Sequence, residues 1–127
     1  MGRYVAIRWG LMLVSPFVIA TCSRGPERSA RELTGGDPER GRSEIRYYGC
    51  GACHTIPGVA GANGVFGPSL AKVAQRAYIA GVLVNTPENL MHWITHPRQV
   101  DSLTAMPEMG VTSRDARDIA SYLYTLR

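Results

Sequence analysis

The stretch YYGCGACHTIPG, residues 47–58, decides how this chain folds. Cys50 and Cys53 lie three positions apart, and His54 follows the second cysteine directly. Three kinds of site use such a pattern: a redox dithiol, half of a zinc site, or a covalent haem anchor. The sequence around the motif discriminates among them.

Zinc and redox chemistry fit the surroundings poorly. A structural zinc ion needs four ligands, usually from two paired clusters. Outside the motif the chain offers only Cys22, His92 and His96, and Cys22 lies in or beside an apolar leader. A redox dithiol typically opens a helix within a strand–helix–strand unit. Here the motif closes a predicted helix, and no strand pattern precedes it.

Covalent haem attachment accounts for the whole motif. Two thiols at this spacing can bond to the two vinyl groups of one haem, and the histidine that follows can then bind the iron. A small, glycine-rich domain also gains from an apolar cofactor around which it can pack. We therefore predict one haem c, attached through Cys50 and Cys53, with His54 as the proximal iron ligand.

Helical patterns lie on both sides of the motif. Asp37-Pro38-Glu39 is typical of a helix start, and that helix is predicted to continue to about Tyr48. A short helix is predicted over 70–77, with Ser69 as its cap. Another helix starts at Thr86 and ends before Pro97, and the last follows Thr112. No segment alternates strongly enough to predict a strand. The predicted class is all-α, with three to five helices around the haem, the first and last packing through Gly41, Ile45, Ile119, Tyr122 and Leu123.

The first 22 residues are predicted to form a leader. Two arginines precede an apolar run over 9–20, which has the length of a signal-peptide core and is short for a membrane span. Three outcomes stay open: lipidation of Cys22, cleavage after Ala20, or an uncleaved anchor over 5–22. Lipidation is preferred because Cys22 otherwise has no partner. We expect an exported protein tethered at the periplasmic face of a bacterial inner membrane.

The following segment, 23–36, is rich in Gly, Ser and charged residues. Because so few large apolar side chains cannot offset the entropy of ordering, we predict a flexible tether. Such a coil spans on the order of 20 Å. The folded domain is then predicted to comprise residues 37–127.

The charge of the chain excludes one class of partner. The formal net charge is +4, but the leader holds Arg3 and Arg8 and no acidic residue. Without those two, 12 basic side chains face 10 acidic ones. Basic and acidic residues alternate on the predicted first helix, as on a solvated face. We therefore expect no nucleic-acid partner.

Residues 35–127 resemble the class I monohaem c-type cytochromes. The resemblance is carried by the capped helix with Gly41, the motif at 50–54, Gly67-Pro68, Ala105-Met106-Pro107, and the final helix with Ile119-Ala-Ser-Tyr122-Leu123. It implies that the first and last helices cross at Gly41 and Tyr122. It also implies that the Pro68 carbonyl accepts a hydrogen bond from His54, and that Trp93 lies by the haem.

The second iron ligand has five candidates: Met91, His92, His96, Met106 and Met109. Met106 lies in an irregular segment with a restricted backbone, from which a side chain can point at a flat ring, and the resemblance selects it too. Met109 is the fallback, and Met91 is expected to pack within its helix. His92 and His96 are four apart and can pair on a helix face. They are more typical of solvated residues, so a bis-histidine haem is the minor alternative.

His/Met ligation leaves the iron no open position, which favours electron transfer over catalysis. We predict a one-electron carrier rather than an enzyme. It would exchange electrons through an exposed haem edge with membrane respiratory or dehydrogenase complexes, either as a free carrier or as a small oxidoreductase subunit. The alternative is a ligand-responsive haem protein, a gas sensor or weak peroxidase, in which Met106 leaves the iron.

Overall fold

The computed structural model describes residues 1–2 and 25–127, so Cys22 and the rest of the predicted leader beyond Gly2 lie outside the described residues. The described part holds five α-helices and one pair of short strands. In chain order these are α1 (Pro26–Thr34), α2 (Pro38–Tyr47), β1 (Tyr78–Ile79), β2 (Leu83–Val84), α3 (Pro87–Thr95), α4 (Pro97–Val100) and α5 (Ser113–Thr125). Short 3₁₀ turns occur at Cys50–Ala52 and Val73–Gln75. In the described ranges, no helix has the length and apolar character needed to span a membrane.

Three helices begin where the sequence predicts, because each has a side-chain cap. The carboxylate of Asp37 accepts hydrogen bonds from two backbone N–H groups in the first turn of α2, at 2.9 and 3.2 Å. The hydroxyl oxygens of Thr86 and Thr112 accept in the same way at the starts of α3 and α5. These bonds satisfy amides that have no partner within the helix.

The packing of α2 against α5 is the largest contact between helices. Gly41 is buried there, and a Cβ at this position would collide with the backbone carbonyl of Asp118. Ile45, Ile119 and Leu123 are buried on the same two helices. The predicted packing pair is therefore confirmed, with backbone of α5 as the close neighbour of Gly41.

Asp118 joins the two helices through polar contacts. Its carboxylate is 2% exposed. It accepts the backbone N–H of Asp37 at 2.6 Å and two bonds from the Arg40 guanidinium, at 2.9 and 3.0 Å. A buried carboxylate is tolerated only when it is paired and hydrogen-bonded in this way.

Over residues 25–36 the structure differs from the flexible tether predicted over 23–36. Pro26–Thr34 form α1, which ends at Gly35 in the left-handed conformation with φ of 72°. Ala30 and Thr34 are buried, and α1 packs on α5. The composition of this segment did not predict a packed helix, because the two buried side chains, Ala30 and Thr34, are enough for a close contact with α5. Only 23–25 remain between the predicted lipid attachment point and α1.

The described residues are mostly helical, as the all-α prediction expects, but one pair of short strands departs from it. β1 and β2 are antiparallel, with Tyr78 opposite Val84 and Ile79 opposite Leu83. The turn between them uses two left-handed residues, Ala80 and Gly81, with φ of 51° and 76°. Strands of two residues are too short to show alternation of apolar and polar residues in the sequence. The left-handed turn at Ala80 and Gly81 is therefore the feature that identifies them in the structure.

We expect Gly41→Ala to lower the free energy of unfolding by about 2 kcal/mol or more, because the new methyl group must push α2 away from α5. The gain in helix propensity, roughly 1 kcal/mol, offsets only part of this loss. Urea unfolding followed by circular dichroism measures the effect. Gly25→Ala is the matched control, since no heavy atom lies within 4 Å of a Cβ at that position. Equal stability of the two variants would contradict the close approach.

A second feature of this helix contact is the carboxyl group of Glu44 on α2. One of its oxygens is buried without a hydrogen-bond partner among the described residues. Burial raises the pKa of Glu44 from 4.5 to about 7, and the negative charges of Asp115 and Asp118 act in the same direction. Arg40 opposes the shift but does not cancel it.

This shift predicts a stability that depends on pH. Between pH 4.5 and about 7 the folded chain holds a proton on Glu44 that the unfolded chain has lost, so stability falls as pH rises through that window. Glu44→Gln should remove the part of this decrease in stability that is due to Glu44, and it should be more stable than the unmodified chain at pH 8. Thermal unfolding midpoints from about pH 5 to pH 8 test it. If the unfolding midpoint changes with pH in the same way in Glu44→Gln and in the exposed control Glu39→Gln, Glu44 is not the group that causes the pH dependence.

Candidate functional site

Helix α2 delivers the motif at 50–54. After α2 the chain turns at Gly49, which is left-handed with φ of 71°, and enters the 3₁₀ turn over Cys50–Ala52. The backbone N–H of His54 donates to the Cys50 carbonyl at 3.0 Å, so both cysteines lie on one compact turn. The Tyr48 hydroxyl donates to Asp115 on α5 at 2.7 Å and ties the end of α2 in place.

The two thiols are free and differ in exposure. Cys50 and Cys53 form no disulfide; Cys50 is half-buried and Cys53 is exposed. Burial raises the pKa of the Cys50 thiol, so this group stays protonated at neutral pH. A catalytic dithiol needs a lowered thiol pKa, because the thiolate is the nucleophile. The environment of Cys50 therefore argues against redox-dithiol chemistry.

The imidazole of His54 is held by the segment 67–68. Its Nδ1 lies 2.7 Å from the Pro68 carbonyl oxygen. With the proton on Nδ1, the ring donates to that carbonyl and Nε2 keeps a free lone pair. Gly67 lies beside the ring, and a Cβ there would collide with it. The Gly67 N–H also donates to the Cys53 carbonyl at 2.8 Å, which fixes this segment beside the motif.

Backbone hydrogen bonds fold the loop between the motif and Gly67. The N–H of Gly64 donates to the Gly51 carbonyl at 3.0 Å, and Thr55 and Asn63 form an isolated antiparallel bridge. The Tyr122 hydroxyl donates to the Pro57 carbonyl at 2.7 Å and connects the loop to α5.

Sequence reasoning missed the particular roles of Gly51, Gly64 and Gly67. A Cβ at Gly51 would collide with Ala62, and one at Gly64 with the backbone of Ala52. The signal available in the sequence was the glycine density of this loop, which predicts close backbone approach without saying where it occurs.

The predicted second ligand lies in another segment, between α4 and α5. Met106 is half-buried, and its N–H donates to the Thr104 hydroxyl at 3.2 Å. Met109 is 41% exposed. No hydrogen bond within 25–127 joins this segment to the motif. On α3, Met91 packs against the core as predicted. Trp93, which was predicted to lie by the haem, is partly buried and also packs against the core.

Large apolar side chains are exposed in two segments of the chain. Val65 and Phe66, which directly precede Gly67, are 84% and 92% exposed. Leu103, in the segment with Met106, is 91% exposed. A contiguous exposed apolar patch is typical of a binding surface, and a group bound between the two segments would cover all three side chains. Free thiols, an oriented imidazole and uncovered apolar side chains together fit a flat, largely apolar macrocycle attached at the motif.

In the described part of the chain, 1–2 and 25–127, no group of three or more His, Cys, Asp or Glu side chains is arranged to hold a metal ion.

Comparison with known proteins finds one informative similarity. The chain is 29% identical over 104 residues to cytochrome c oxidase subunit 2 of Alkalihalophilus pseudofirmus. The match covers 81% of this chain but only 30% of that protein, so the chain spans less than a third of its relative. No family model matches the chain, and no solved structure matches it. The resemblance to class I cytochromes thus stays a prediction from the motifs.

We expect Gly67→Ala to displace the His54 ring, because the added methyl group would occupy the space of the imidazole. The contact from Nδ1 to the Pro68 carbonyl should break, with a loss of roughly 1–3 kcal/mol in stability. The NMR signals of the His54 ring and urea unfolding measure the two effects. Pro68→Ala is the control, since it keeps the carbonyl acceptor. An unchanged His54 ring in Gly67→Ala would contradict the contact.

Proposed function

We propose that this chain is a one-electron carrier with a single covalently attached haem c. The observation that carries the proposal is the His54 arrangement: the imidazole follows two free thiols, and the Pro68 carbonyl engages its Nδ1 at 2.7 Å. When bound, the haem iron changes between ferric and ferrous states and so carries one electron.

The motif residues would attach and orient the haem. Cys50 and Cys53 would form the two thioether bonds, and Nε2 of His54 would bind the iron. The bond from Nδ1–H to Pro68 holds the ring in one tautomer and increases the electron density on Nε2. Gly67 permits this arrangement because it has no side chain, whereas a Cβ at this position would displace the His54 ring.

Met106 would be the second iron ligand, with Met109 as the fallback. A thioether is a soft ligand that favours ferrous iron, so it raises the reduction potential relative to a second histidine. With both axial positions filled, the protein would transfer electrons rather than act as an enzyme. The exposed side chains of Val65, Phe66 and Leu103 would lie beside the haem and its exposed edge.

The similarity to an oxidase subunit supports a partner in a membrane respiratory complex. That relative is subunit 2 of cytochrome c oxidase. We propose that this chain likewise passes electrons to or from a respiratory complex, at the periplasmic face of the membrane. Lipidation at Cys22 would keep it there, and the packed helix α1 would hold the domain close to the attachment point.

Mass spectrometry of the chain expressed with a haem-attachment system tests the proposal. We expect one haem per chain, retained after denaturation, and a spectroscopic redox titration that fits a single one-electron step. Cys50→Ala with Cys53→Ala should abolish covalent retention. Cys22→Ala is the matched control: it should keep the haem and move the protein from the membrane to the soluble fraction. Haem that denaturant extracts from the unmodified chain would refute the attachment.

Methionine variants assign the second ligand within the same experiment. Met106→Ala should change the absorption spectrum and allow the reduced protein to bind carbon monoxide, whereas Met109→Ala should leave both unchanged. The opposite result would assign Met109. Ready carbon monoxide binding by the unmodified reduced protein would favour the ligand-responsive alternative over electron transfer.

A further inference from the structure

We propose that His92 and His96 form a binding site for a divalent transition metal of the Zn²⁺, Cu²⁺ or Ni²⁺ class at the end of α3. This site is separate from the cysteine motif and does not rest on the proposed function. Both imidazoles are exposed. His92 lies in the last turn of α3, and His96 is the non-helical residue that ends the helix, with φ of −137° and ψ of 59°. The His96 N–H donates to the His92 carbonyl at 2.8 Å, which keeps the two residues adjacent.

The ring geometry suits a shared metal ion. The two ring centroids lie 6.0 Å apart, and the ring planes are inclined at 59°. With metal–nitrogen bonds of about 2.1 Å and a tetrahedral angle, two imidazoles on one ion have centroids roughly 5 Å apart. The two rings would have to approach by about 1 Å, which rotation of two exposed side chains supplies without movement of the backbone.

Neither imidazole is engaged elsewhere in the described part of the chain. The hydrogen bonds of His92 and His96 involve only the backbone atoms of these two residues, so their ring nitrogens have no partner in 25–127. The rings border a cavity of about 310 Å³ between α3 and the start of α5, which Met91, Thr95, Ser113 and Arg117 also line. Water in this open cavity would complete the coordination of an ion that has only two protein ligands.

The donor atoms and charges define which ions fit and how tightly. Imidazole nitrogen suits Zn²⁺, Cu²⁺ and Ni²⁺, whereas Ca²⁺ and Mg²⁺ prefer oxygen. Among the described residues, no carboxylate lines the cavity, whereas the positively charged residue Arg117 does. Arg117 would repel a cation, so the site should bind more weakly than its ligands alone would allow. Removal of this charge should therefore increase the affinity, which a merely structural role for Arg117 would not produce.

Metal binding at this position has a structural consequence. The His92–His96 bridge would close the last turn of α3, directly before Pro97 and the segment that carries Met106. An ion that binds only the folded chain stabilises it in proportion to its concentration. The metal would thus stabilise the end of α3 in the folded chain.

Isothermal titration of the full chain with Zn²⁺ tests the site. We expect one ion per chain at this position, with affinity lowered about tenfold or more by His92→Ala and by His96→Ala. The double variant should have the same Zn²⁺ affinity as either single variant. Loss of one imidazole already removes chelation, so loss of the second has little further effect. Arg117→Gln should bind Zn²⁺ several-fold more tightly. Circular dichroism verifies that every variant is folded.

Electron paramagnetic resonance of added Cu²⁺ is the second measurement. Nitrogen hyperfine structure from two imidazoles is expected in the unmodified chain and from one in each single variant. Zn²⁺ affinity that is unchanged in both single variants would overturn the proposal, as would the absence of saturable binding at millimolar Zn²⁺. Weaker binding by Arg117→Gln would overturn the electrostatic part of it.

Discussion

The buried carboxylate of Asp118 holds the start of α2 against the middle of α5, and the site depends on this contact. It accepts the Asp37 N–H and the Arg40 guanidinium, so one side chain joins the cap of α2 to the helix that crosses it. Gly41 lets the two backbones meet at the same place. Because the motif at 50–54 follows α2 directly, the position of this helix decides where the thiols and His54 lie.

Close backbone approach then replaces regular secondary structure between the motif and Pro68. Gly51, Gly64 and Gly67 each lie where a Cβ would strike a neighbouring atom, and hydrogen bonds between distant carbonyls and amides connect the loop. As a result, the His54 ring lies against the Gly67 backbone and makes a hydrogen bond with the Pro68 carbonyl. A flexible loop would leave the imidazole free to rotate, and the free energy of ordering it would oppose ligand binding.

Local signals in the sequence predicted the helix starts well and the small elements poorly. Asp37, Thr86 and Thr112 cap their helices as expected, because capping depends on a few neighbouring residues. The strand pair and α1 escaped prediction. Two-residue strands have no periodicity, and α1 is stable through contacts with α5, which lies some 80 positions further along the chain.

The sequence by itself determined the chemistry available to this protein: two thiols and an imidazole in one turn, a capped helix before them, and glycines after them. These are properties of adjacent residues, which the chain keeps in any fold. Only the tertiary structure decided that Asp118 joins α2 to α5 and that α1 belongs to the folded domain. Each of these contacts connects residues far apart in sequence. Their geometry follows from helix packing, which no local pattern specifies.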